Sequence, residues 1–124
     1  MNDPKTLVFV CLHGMGMSRL AAAYFNCVAP SGWRAVSAGL EPGATLSPTA
    51  ARLLAGTSAE AFLDRESPRG LGDVDHPARV IAIRNPQIRF EVPDSEEWDL
   101  RNSEFAEPLR DEIRERAEAL ARSL

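Results

Sequence analysis

The segment Cys11-Leu12-His13-Gly14-Met15-Gly16-Met17-Ser18 is where residue types and spacing in this chain could do chemistry. It leads into Leu20, Ala21, Tyr24, Phe25 and Val28, an apolar stripe at helical spacing. A glycine-bearing turn that opens into a helix makes an anion cradle. The first-turn N–H groups lack intrahelical partners, and the helix dipole favours negative charge there. Gly14 and Gly16 let successive N–H groups converge, so residues Leu12, His13, Gly14, Met15, Gly16, Met17 and Ser18 form the candidate anion-binding set. A cysteine facing such a cradle is offered donors for its thiolate, the nucleophilic form. Ser18 can hydrogen-bond that sulfur or help it leave. Cys11 is equally consistent with a small buried hydrophobe, and the residues alone leave both readings open.

The elements around this loop follow from pattern. Thr6–Leu12 is a short continuous apolar run between Pro4 and Gly14, which predicts a strand buried on both faces, parallel and central. A helix follows with Ser18 as its N-cap, and Pro30-Ser31-Gly32 stops it. Arg34–Ala38 is a second strand, closed by Gly39. Ser47 caps a further helix with Pro48 at its first position, running to about Leu54 and ending at Gly56. Residues 57–76 are mixed and carry no clear pattern. Val80–Ile83 is a third strand, and Leu109, Ile113, Ala117, Leu120 and Leu124 form the stripe of a terminal helix. Alternating strands and helices predict one α/β domain over residues 1–124 around a mostly parallel sheet.

Composition narrows the function classes. Lys and Arg total 14 against 18 Asp and Glu, a net charge of −4. That balance speaks against a nucleic-acid backbone as partner. The excess of acid lies in residues 91–124, which hold 11 acids and 5 bases and read as a solvated helix face. No run approaches the ~18–20 apolar residues of a membrane helix, and Met1-Asn2-Asp3-Pro4 lacks a signal peptide's features, so a cytoplasmic protein is expected. Cys11 and Cys27 are too few for a disulfide framework and show no metal-ligand spacing; neither a metal nor a cofactor is expected. Cys27 reads as packing.

Val8-Phe9-Val10-Cys11, the loop to Ser18, and Val36-Ser37-Ala38-Gly39-Leu40-Glu41-Pro42-Gly43 followed by Leu46-Ser47-Pro48-Thr49-Ala50 resemble the low-molecular-weight protein tyrosine phosphatases. Related thioredoxin-coupled arsenate reductases are similar in the Ser-Ala-Gly region above all. Trp98-Asp99-Leu100 and Leu109–Arg116 extend the resemblance over nearly the whole chain. It implies a doubly wound, four-stranded parallel sheet with helices on both faces and the anion loop at the carboxyl end of strand one.

For activity the resemblance implies an impaired site. The family signature places an arginine where this chain has Met17, and a serine where Ser18 stands. The arginine fork binds two oxygens of the transferring phosphoryl group, which a thioether cannot do. A loop-propping asparagine becomes Gly14, and a second loop cysteine becomes Gly16. The Asp-Pro that protonates the leaving group aligns with Asn102-Ser103, and an amide has no proton to give. No cysteine follows Cys27, so thioredoxin-coupled arsenate reduction fits least of the family's activities. Compensation would fall to Arg19 as a replacement cation, with Cys11 and Ser18, or to Asp94 or Asp99 as a replacement acid. Met17→Arg and Asn102→Asp are expected to restore clamp and proton donor. The expected function is a degenerate, phosphatase-like binding or regulatory module for phosphate or another small oxyanion, free or on a phosphorylated protein. Two alternatives stand beside it. One is a weak or repurposed cysteine-dependent phosphatase. The other is a phosphocysteine carrier, because the loop also resembles that of phosphotransferase B domains, which use glycines and no arginine.

Overall fold

A computed structural model describes residues 4–124. The first apolar run forms β1 (Lys5–Cys11) at an interior position of a four-stranded parallel sheet. Its neighbours are β2 (Trp33–Gly39) on one side and β3 (Arg79–Arg84) on the other, with β4 (Glu96–Asp99) at the far edge. β1 is apolar throughout because both its faces meet a core. Leu7, Phe9 and Cys11 face α1 (Met17–Val28) and α3 (Glu107–Ser123), with Leu20, Phe25, Leu109 and Ile113 in the same cluster. Val8 and Val10 face the opposite way, onto Ala38, Ala82 and Val92. The cover on that second face comes from a 3-10 turn, Leu71–Asp73, and from Val74 and Phe90. Each fully buried Leu, Val or Phe contributes about 1.5–3 kcal/mol. β1 is thereby the most firmly held base the fold offers a loop.

Strand order places that loop at a crevice. The chain turns one way from β1 to β2 and the other way to reach β3, so the connections diverge above the carboxyl end of β1. Cys11 pairs in register with Gly39 there. α2 (Pro48–Leu54) starts as expected, with the Ser47 side chain accepting from the Ala50 N–H at 3.4 Å.

Three features depart from the sequence reading. Ser18 is not the N-cap of α1. Gly16 is, its carbonyl accepting from the N–H groups of Arg19 and Leu20, because the Ser18 hydroxyl is engaged with Cys11. The fourth strand, Glu96–Asp99, has a half-exposed, charged sequence without an apolar run. The patternless stretch 57–76 holds two single 3-10 turns, Glu60–Phe62 and Leu71–Asp73. At the β2 edge the Asn26 side chain reaches out of α1, donating to the Ala35 carbonyl at 2.9 Å and accepting from its N–H at 2.8 Å.

Candidate active site

The geometry of the loop starts from its carbonyls. Six consecutive ones, Cys11 through Gly16, each accept a hydrogen bond from outside the cavity. Leu40 N–H serves Cys11 at 3.0 Å, Glu41 serves Leu12 at 2.7 Å, Gly43 serves His13 at 2.9 Å and Ser47 serves Met15 at 2.8 Å. The Arg19 Nε–H serves Gly14 at 2.9 Å. With every carbonyl turned outward, the intervening N–H groups lie on the inner side, the polarity an anion cradle requires. The segment Gly39–Ser47 is therefore the outer wall of the loop, which gives a physical meaning to its Ser-Ala-Gly sequence.

Inside the cradle, Cys11 is 4% exposed. Its sulfur receives the Gly14 N–H at 3.2 Å and lies 3.1 Å from the Ser18 hydroxyl. Gly14 takes φ +66°, and a Cβ there would sit 2.7 Å from the Gly39 nitrogen and 2.9 Å from the Ala38 carbonyl carbon. Gly14→Ala is expected to cost about 2 kcal/mol or more, since strain and collision add. Gly32→Ala, at φ +89° with open space around it, carries strain alone. Calorimetry of the two variants checks this, with the larger fall in midpoint at Gly14.

Arg19 does not reach over the loop. It is 1% exposed and runs beneath it, with Nε on Gly14 and Nη1 on the Asp64 carbonyl at 2.6 Å. Burial pulls its guanidinium below the ordinary arginine range, against the opposing pull of Asp64. The Asp64 carboxylate holds Arg69 at 2.9 Å, and Arg69 in turn donates to the Ser37 carbonyl at 2.8 Å. Burial would raise the Asp64 carboxyl, but the Glu66 N–H and Arg69 together hold it below the usual range. Asp64 and Arg69 are supports that sequence reasoning missed, because they lie in the stretch without periodicity.

In front of the loop is a cavity of about 200 Å³ lined by Cys11, Leu12, His13, Met15, Gly16 and Met17, with Ser47, Ile88 and Phe105 closing its sides. Phe105 lies on Gly16 so closely that a Cβ there would fall 2.2 Å from its ring. Ile88 is turned inward by Asn85, whose Oδ1 accepts from the N–H groups of Gln87 at 2.9 Å and Ile88 at 2.8 Å. Met17 is 5% exposed, its sulfur 3.8 Å from the Asn85 amide nitrogen. His13 places Nδ1 3.0 Å from the Glu41 carbonyl. A carbonyl only accepts, so Nδ1 carries the proton in that bond.

The other candidates lie elsewhere. Asn102 does not line the cavity; its amide donates to Glu112 at 2.8 Å and to the Pro108 carbonyl at 3.4 Å. Asp99 is bound through both oxygens to Arg84 at 2.9 Å, which holds its carboxyl below the usual range. A carboxyl so held is a poor proton donor. Asp94, at φ +59°, is also absent from the cavity wall. The structure thus brings Cys11, Ser18 and residues 12–17 together and leaves Arg19, Asn102, Asp94 and Asp99 outside the cavity.

Neither protein-family models nor curated proteins match this chain. Solved structures do. The arsenate reductase from Archaeoglobus fulgidus DSM 4304 matches with a TM-score of 0.71 at 27% identity, over 93% of this chain and 98% of that one. An arsenate reductase in the phosphate binding state matches with a TM-score of 0.73 at 21% identity, over 96% and 98%. The low-molecular-weight protein tyrosine phosphatase from T. tengcongensis matches with a TM-score of 0.72 at 16% identity, over 97% and 99%. The structural neighbours of this chain are arsenate reductases and low-molecular-weight protein tyrosine phosphatases, and its four-stranded parallel fold is the one they share. No helix among the described residues is long and apolar enough to cross a membrane.

Proposed function

We propose that this chain is a binding or regulatory module on the low-molecular-weight phosphatase fold. It holds a phosphate or other small oxyanion, free or carried by a phosphorylated protein, over Cys11 without efficient turnover. The observation that carries this reading is the cavity wall: among the described residues, no lysine or arginine lines it. Phosphoryl transfer places negative charge on the equatorial oxygens, and stabilising it is the largest catalytic contribution such a site makes. Met17 supplies no charge, and Arg19 has its Nε and Nη1 donors engaged under the loop. A phosphatase built on Arg19 would have to break those bonds. The carrier reading keeps one supporting observation, a sulfur already met by Gly14 and Ser18 with no arginine required.

Aryl phosphate hydrolysis by the wild type is expected at background and unchanged by Cys11→Ser. Met17→Arg is expected to tighten inorganic phosphate by about tenfold or more, since charge-assisted bonds contribute ~1.5–3 kcal/mol. Kinetics and phosphate titration of the three proteins test both statements. Turnover at ordinary phosphatase rates that depends on Cys11 overturns the reading. A phosphoryl adduct in the intact mass after incubation with acetyl phosphate selects the carrier instead.

A further inference from the structure

We infer that the loop cavity selects an oxyanion of one negative charge on a small apolar body, with buried Arg19 as its counter-charge. A carboxylate, a sulfonate and a sulfate monoester share that chemistry; a phosphoryl dianion does not. The inference rests on the oxyanion reading above and adds to it the charge and the body of the ligand.

Beneath the loop there is one positive charge in excess. Arg19 and Arg69 supply two guanidinium groups there, and Asp64 supplies one carboxylate. That carboxylate is fully used. Its Oδ2 accepts from Arg69 at 2.9 Å and its Oδ1 from the Glu66 N–H at 2.9 Å. Arg19 is 1% exposed, and its hydrogen bonds go to carbonyl oxygens, those of Gly14 and Asp64. Among the described residues it forms no salt bridge. A buried cation without a paired anion is costly, and this one lies under an anion cradle. Gly14 joins the two, its carbonyl on Arg19 and its N–H on the Cys11 sulfur. Burial pulls the Arg19 guanidinium down. Charge at Asp64 opposes this most, Arg69 reinforces it, and charge at Cys11 or at the exposed Glu66 opposes it again. Arg19 therefore senses negative charge placed in the cavity.

A single excess charge sets the charge of the ligand. Attraction to Arg19 grows in proportion to the charge on the anion, whereas the cost of taking it from water grows with the square. Leu12, Met15, Met17, Ile88 and Phe105 line the cavity. A dianion would leave one charge uncompensated against those apolar walls; a monoanion leaves none. The same walls, around a volume of about 200 Å³, suit a ring or a short branched chain as the body that carries the anion. Cys11 is the thiol in this complex, since a thiolate and a bound anion would draw on the same charge.

The test compares three probes of one shape on the full, reduced chain: benzenesulfonate with one charge, phenylphosphonate with two, and neutral benzenesulfonamide. The pH is about 8, where the phosphonate is doubly ionised and an ordinary imidazole is neutral. Titration followed by the amide NMR shifts of residues 12–17 should rank benzenesulfonate about tenfold or more above each of the others. Arg19→Gln keeps an amide donor and removes the charge. It should weaken benzenesulfonate by about tenfold or more and leave benzenesulfonamide within about twofold, a split that a merely structural role would not give. Arg19→Lys should keep the preference for sulfonate over sulfonamide, because it keeps the charge. Should the Arg19 variants fail to fold, the ranking of the three probes on the parent decides. Phenylphosphonate binding as tightly as benzenesulfonate, or Arg19→Gln weakening sulfonate and sulfonamide alike, overturns the inference and leaves the oxyanion reading standing. If neither anion shifts these resonances, the oxyanion reading itself falls, and this inference with it.

Discussion

Asn102→Asp is expected to lower stability by about 3 kcal/mol at neutral pH, and to regain much of that loss as the solution is acidified toward pH 4–5. The cause is Glu112, 5% exposed, whose Oε1 accepts from the Asn102 amide at 2.8 Å. The same carboxylate accepts from the Arg101 N–H at 2.9 and 3.0 Å and from the Asn102 N–H at 3.2 Å. Burial alone would raise the Glu112 carboxyl, but these donors together hold it below its ordinary value. The parent thus gains stability above the unfolded carboxyl range and loses it as pH falls through the lowered folded value. An aspartate at 102 exchanges a donor for a second acceptor. One carboxyl of the pair then has a raised affinity for a proton, and the penalty fades as pH falls through that raised value. Between pH 7 and 5 the variant should therefore gain stability, whereas the Glu112 contribution of the parent stays level and falls only in stronger acid. Urea midpoints at the two values measure this. The restored proton donor expected from the sequence does not follow, because position 102 faces α3 and not Cys11. Unchanged stability together with new hydrolysis would refute the assignment.

Arg19→Met should be the most damaging substitution in the loop, costing about 3–5 kcal/mol. It removes the partner of the Gly14 and Asp64 carbonyls in a place where water does not reach. Arg19→Lys should recover only part, since one ammonium cannot meet two carbonyls in the geometry of a planar fork. Denaturant unfolding reads the stability. Amide hydrogen exchange should show protection lost in residues 12–16 and around Asp64 first. A surface arginine would give a change within ~0.5 kcal/mol, so the two outcomes are far apart.

The burial of Arg19 shows where sequence reading stops. β1 and its loop were legible because their signals are local: an apolar run, then glycines, then a helical stripe. The outer wall was legible through resemblance, but its purpose was not, since the carbonyls it satisfies lie about thirty positions earlier in the chain. Arg19 has a residue type that is normally solvated, and its partner is a backbone carbonyl that no residue pattern marks. Phe105 was hidden for another reason. It is one of two aromatics in an acidic stretch, the other being Trp98 in β4, and no sequence pattern marks it as the residue that sits on Gly16. β4 escaped because an edge strand with solvent on one side needs no apolar run.

The two margins of the sheet bear on how this protein behaves when concentrated. At one, the Asn26 amide occupies both the N–H and the carbonyl of Ala35, so the row of β2 groups that another chain would pair with is interrupted from within. At the other, Glu96, Glu97 and Asp99 of β4 carry charge along the exposed strand, the first paired with Arg79 and the others with Arg84. Open strands recruit further strands, and natural proteins deter this with charges and covering groups. A single amide on one side and three carboxylates on the other thus act as barriers to self-association, independent of anything bound at Cys11.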